Sequence, residues 1–292
     1  MHHVARADDI RLEPSSRSMS VGFARCSLVE GEAGSVHMGL GLCALEPSGR
    51  IDVHSHSFEE GFYVLEGSPT IVLGDRGCRL RRGVAGVVPV GTPHAWIGGE
   101  AGEARWVDML APQPRREGSP LDTFFLGPLG IFDIAEFDRR DPRFRQLAGL
   151  DERQLVPGQL KADTPAGAPA VPAAMAGALR ASGGIAIEML VDRARDAQLL
   201  TMFIVEYEPG AVLEPHDHPF EEAYAILVGE VEALADGARY TLRAGDVLWT
   251  SVGCIHAFRN TNEATVRWLE TQAPQPPASH AFRFDGEWPA GL

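Results

Sequence analysis

The sequence has little cysteine, a shortage of positive charge and no long apolar stretch. Its four cysteines, Cys26, Cys43, Cys78 and Cys254, form no C-x-x-C pair. That argues against a thiolate zinc motif or a disulfide framework and fits reduced, buried thiols in a cytoplasmic protein. Lysine and arginine total 26 against 40 acidic residues, for a net charge of -14. Such a chain lacks the basic face that phosphates require, which argues against nucleic-acid partners and against docking on anionic membranes. No apolar run reaches the length of a membrane span. Met1 to Leu12 is charged and has no apolar core of a signal peptide, so the expectation is a cytoplasmic protein. No helix-turn-helix segment is visible, which argues against a transcription factor.

Turn formers, by contrast, are plentiful: 32 glycines and 21 prolines in 292 residues, with 45% apolar and 23% charged residues. The length suits two ordinary domains, and the chain repeats itself. His54, His56, Glu60 and His94 recur 162 positions later as His216, His218, Glu222 and His256. Each copy reads H-x-H-x3-E-x6-G and closes at Gly67 or Gly229. A second block follows: Gly83-x5-Pro89-x-Gly91-x2-His94 in one copy, Gly245-x5-Ser251-x-Gly253-x2-His256-x3-Asn260 in the other. The register holds without a gap from the first histidine to Ala111-Pro112-Gln113-Pro114 and its mate Ala273-Pro274-Gln275-Pro276. This is a tandem domain duplication, not a solenoid of short repeats.

Between these markers lie short apolar segments that end at turn residues. Val36 to Leu45 and Leu199 to Tyr207 end at Glu-Pro turns; Gly74-Asp75 and Asp236-Gly237 mark hairpins. Many short strands predict an all-β sandwich or barrel in each half. We divide the chain into an N-terminal arm (1–20), a first barrel (21–115), a linker with short helical turns (116–184) and a second barrel (185–292). The Ala-, Pro- and Gly-rich stretch 162–184 has little to bury and reads as a surface linker.

Residues two apart on a strand share a face, so H-x-H aims both imidazoles at one point. The glutamate follows on the next strand and the third histidine comes from a later hairpin. Three imidazoles and one carboxylate leave open positions on an octahedral ion for water, substrate or dioxygen. The set has no thiolate and one hard carboxylate, which favours Fe2+ or Mn2+, with Zn2+ and Ni2+ as alternatives. The x6-Gly spacing selects Glu60 and Glu222 as ligands over their neighbours Glu59 and Glu221, which are put forward as proton acceptors. Phe62, Trp96, Tyr224 and Phe258 occupy matched positions and are expected to line the barrels. Arg105 and Arg267 could clamp a substrate carboxylate, but the favoured reading is that they pair at the surface with Asp108 and Glu270. Cys254 lies two residues before His256, near the expected metal, although its mate Thr92 shows that the motif needs no thiol there. His37 and His280 have no repeat partner and read as structural; His2 and His3 lie in a terminus expected to be loose.

These paired motifs resemble those of the cupin superfamily, over roughly residues 36–114 and 199–276. Gly98 stands where the motif ends in Asn, and Ser251 where it has Pro; neither is a ligand. The resemblance implies a bicupin: two tandem jelly-roll barrels, one divalent ion per barrel, a small-molecule substrate and a homodimer. It implies a dioxygenase-type oxidoreductase acting on an aromatic or enolic substrate. The alternatives are a non-redox isomerase, decarboxylase, lyase or aminohydrolase, and a small-molecule sensor. Oxalate-type cupins carry four residues before the glutamate and this chain three. Ureidoglycine aminohydrolases keep ligands in one half, whereas here both sets are complete.

Overall fold

The computed structural model describes residues 1–15, 19–115, 122–130, 132–156, 184–277 and 282–285. The chain is almost entirely β-structure, as expected, and each half curls into a jelly-roll barrel. The helical elements among the described residues are short 3-10 turns, and none is long and apolar enough to cross a membrane.

The first barrel is organised by one long strand, Gly39–His56, which pairs with Ser20–Val29, His94–Ile97, Ala104–Ala111 and Thr123–Gly127. The second is built on Ile185–Val191, Thr201–Tyr207, Val212–Asp217, Glu221–Val228 and Val266–Ala273. Alternation along the strands explains the packing. From Gly39–His56, Leu40 joins a core between the barrels, while Cys43 and Leu45 point into the first barrel. From Ala104–Ala111, Val107, Met109 and Ala111 face the second barrel and Trp106 faces inward. Met202, Ile204, Trp249 and Leu269 meet them from the other side. A sheet buried on both faces reads as a continuous apolar run, which is how these segments look in the sequence.

The arms are exchanged between the halves. His2–Ala5, expected to be loose, is a strand that pairs with Val247–Thr250 of the second barrel. Leu147–Gly149, which precedes the second barrel, pairs with Val84–Val88 of the first. Each arm covers an exposed strand edge, which is otherwise a site of unwanted pairing. The region 116–150, expected to hold short helical turns, contributes the 3-10 turn Pro142–Phe144 but also the strands Thr123–Gly127, Asp133–Glu136 and Leu147–Gly149. Residues 157–183, most of the expected linker, and His280 lie outside the described residues. All four cysteines are free, and Cys43, Cys78 and Cys254 are buried.

Candidate metal centre

In the first barrel the structure brings His54, His56, Glu60 and His94 together, with one donor atom of each within 4.8 Å of the others. His54 and His56 end the long strand, Glu60 lies in Glu59–Glu66, and His94 opens the strand opposite His54. Gly67 shows why the motif needs a glycine: its φ is +74°, and a Cβ there would lie 2.8 Å from the Ala104 backbone. Gly229 repeats this, with φ +79° and Thr265 O at 2.8 Å.

The imidazoles are held from behind. His54 Nδ1 lies 2.8 Å from Asp52 O, and His94 Nδ1 lies 3.0 Å from Thr92 O. A carbonyl only accepts, so each Nδ1 carries the proton and each Nε2 turns a lone pair inward. His94 Nε2 is buried with no hydrogen-bond partner. Burial and the two facing imidazoles push the His54 ring down to about 3, so it stays neutral. Burial by itself would raise the Glu60 carboxyl, but its close approach to the His56 and His94 rings prevails and holds it well below its ordinary range. Neutral imidazoles aimed at one carboxylate form a donor set suited to a divalent cation.

The second barrel repeats the tethers. His216, His218 and His256 place Nδ1 at 2.8, 2.8 and 2.9 Å from the carbonyls of Glu214, Phe220 and Cys254. His218 Nε2, left with a lone pair, lies only 2.6 Å from Glu222 Oε2. Two acceptors at that distance need a proton or a metal cation between them. Gln272 Nε2 donates to the other Glu222 oxygen at 2.5 Å.

The two centres differ in access. The first opens into a cavity of about 380 Å³ lined by His54, His56 and Glu60 together with Phe23, Ile51, Phe58, Trp96 and Trp106. Trp96 and Trp106 stack at 4.6 Å, with Phe23 on the outer face of Trp106. In the second barrel, Tyr224 hydroxyl bonds Glu222 and lies 2.7 Å from His256 Nε2, inside the ligand set. Phe282 packs on His216 and His218. By strand register it takes the place of Thr123, which borders the first cavity and contacts His56 at 3.1 Å.

Of the expected pocket residues, Trp96 lines the first cavity, Phe62 packs edge-on beneath it, Tyr224 joins the second ligand set and Phe258 lies in the core. Glu59 and Glu221, expected as proton acceptors, face away from the ligands because adjacent strand residues point to opposite sides. Glu221 accepts from Ser35 Oγ, Val36 N and His37 N at 2.6–3.2 Å. Glu59 accepts from Gln198 N and Leu199 N at 2.6–3.2 Å. Each carboxylate therefore caps a loop of the other barrel.

The expected surface pairs are also replaced. Arg105 bonds Glu103, and Arg267 bonds Glu152 and Glu206. Asp108 and Glu270, three residues on, face inward, where Asp108 takes a bidentate bond from Arg25 at 2.6 and 2.8 Å. Glu270 accepts from Trp268 Nε1 at 2.9 Å. Arg25 is a site residue the sequence reading missed. Its mate is Ile187, so the repeat offers no signal for it.

The cupin domain model matches residues 41–110 and 203–271. The chain belongs to the cupin superfamily and is a bicupin. It is 34% identical over 83 residues to the polyketide synthase CurC of Streptomyces cyaneus, a match spanning 28% of this chain and about half, 54%, of that protein. In fold it is similar to an oxalate decarboxylase variant of Bacillus subtilis, with a TM-score of 0.65 and 17% identity over 96% of this chain and 78% of that one. The formate complex of Lactobacillus farciminis oxalate decarboxylase gives 0.64 and 14%, over 96% and 88%.

Proposed function

We propose that this bicupin is a metal-dependent enzyme whose first barrel acts on a planar aromatic or enolic small molecule, as a dioxygenase-type oxidoreductase. The observation that carries this reading is the cavity itself: a three-histidine, one-glutamate set opening into a chamber walled by Phe23, Trp96 and Trp106. A divalent ion held by His54, His56, Glu60 and His94, with Fe2+ or Mn2+ favoured, supplies a Lewis acid and a site for dioxygen. The chain's own residues orient the substrate and exclude water. Stacked indoles favour a flat ring or conjugated enol. Arg25 is neutralised by Asp108 and gives no net charge for a dianion. That weighs against oxalate, as does the three-residue spacing before Glu60, although oxalate decarboxylases share the fold. Similarity to a polyketide synthase supports an enolisable carbonyl compound and also keeps a second reading open, in which the metal polarises a carbonyl without dioxygen.

The test is elemental analysis and dioxygen uptake with His54→Ala and His216→Ala, using a panel of catechols and cyclic 1,3-diketones. Each variant should lose about one ion per chain, and His54→Ala alone should abolish turnover. Turnover without dioxygen uptake would select the second reading. Full activity in His54→Ala would remove the first barrel from the chemistry.

A further inference from the structure

A third cluster of metal-ligating groups lies outside both ligand sets. His2, Asp236 and Cys254 each bring one donor atom to within 4.8 Å of the others. Three separate parts of the chain build it. His2 opens the strand that crosses to the second barrel, opposite Thr250. Asp236 occupies the turn between Glu230–Ala235 and Ala238–Arg243. Cys254 sits in the turn before His256, its amide bonded to Ser251 O at 3.0 Å.

The His2 ring is fixed from its far side. Nε2 lies 2.7 Å from the Tyr240 hydroxyl, and the two rings meet edge-on at 5.5 Å. That leaves Nδ1 buried with no hydrogen-bond partner, 3.7 Å from Asp236 Oδ2. Such a separation is close to the edge of a tetrahedron with metal bonds of about 2.0–2.3 Å. The Cys254 sulfur lies within 4.8 Å of both donors. Asp236 Oδ2 also holds the Met1 ammonium at 2.5 Å, so this oxygen already serves a cation. Thr92 and Gly74 stand at the matching positions of the first barrel, so the cluster belongs to the second barrel alone.

We propose that His2, Asp236 and Cys254 form a third metal site, suited by its nitrogen, oxygen and sulfur donors to a borderline ion such as Zn2+. It differs from the two cupin centres in having a thiolate. It also touches one of them, because Cys254 O receives the Nδ1–H of His256 at 2.9 Å. An ion here braces the turn that presents a ligand of the second centre and ties the crossing arm to the barrel it covers.

Cobalt(II) substitution of the metal-stripped full chain, prepared without added histidines, tests this. A thiolate–cobalt charge-transfer band in the near ultraviolet reports the third site, since neither cupin set contains sulfur. Wild-type protein should develop the band and bind one ion per chain more than Cys254→Ser or His2→Ala, both of which should lack it. His216→Ala should keep it. Circular dichroism checks folding, and His2→Ala decides alone if Cys254→Ser does not fold. Wild-type protein that binds cobalt without the band would overturn the proposal and leave Asp236 as the partner of the Met1 ammonium. A band that survives both substitutions would place the thiolate elsewhere and overturn it too.

Discussion

At the residue scale, neighbouring glutamates have opposite fates. Glu60 and Glu222 face the histidines, while Glu59 and Glu221 bond amides of the opposite barrel. Glu59→Gln or Glu221→Gln weakens a buried, charge-assisted cap and should cost about 1–3 kcal/mol. Each kcal/mol lowers Tm by roughly 2–4 °C in a molecule of this size. Metal content should not change; an unchanged Tm with lost turnover would return these carboxylates to the chemistry. The ligands themselves set an acid limit. Unfolded, the His54 imidazole binds a proton near 6.5; folded, it does so only at about 3. The unfolded state therefore holds more protons in that window, and stability falls as pH drops through it. His216 acts in the same direction. Glu60 and Glu222, held low, add stability that is present above about 4.5 and lost as pH falls toward their folded values. Glu188, lifted to about 7 by burial, opposes this above 4.5, as do Glu59 and Glu270, also raised by burial, against the imidazoles of His54, His56 and His216. Urea midpoints of the metal-free protein should fall most steeply below pH 4.5, where the lowered imidazoles and carboxylates act together; a flat profile there would contradict both.

At the scale of elements, the strand that follows each barrel sets access to its centre. Thr123–Gly127 brings Thr123 to the first, whereas Phe282 occupies the same register position before Arg283–Phe284 in the second. A chelator should therefore strip the first centre faster than the second, giving two phases of metal release. Phe282→Ala opens the second centre and should merge the phases. Two unchanged phases would mean that Tyr224, already bonded to Glu222, governs release instead. Thr123 and Phe282 escaped the sequence reading because they fall outside the ungapped repeat. The ligands were legible because a two-residue strand period and fixed motif spacings place them locally.

At the scale of the molecule, the barrels depend on one another. Leu40, Val87 and Met109 pack on Met202, Trp249 and Leu269, and both arms are exchanged. A fragment spanning residues 21–115 exposes that apolar face and leaves the Val84–Val88 edge uncovered. It should aggregate or fail to fold, as measured by size-exclusion chromatography and circular dichroism. A monomeric, folded, metal-binding fragment would show that the first barrel stands alone.

The duplicated ligand spacing, the β-rich punctuation and the missing basic and membrane features were decided by the order of residues, because each is a local pattern repeated along the chain. Tertiary structure decided which centre is open, that Arg25 neutralises Asp108, that Glu59 and Glu221 join the barrels and that His2 meets Cys254. These follow from contacts such as Ser35 with Glu221, 186 positions apart. No spacing rule spans that distance, because only the packing of one barrel on the other brings those side chains together.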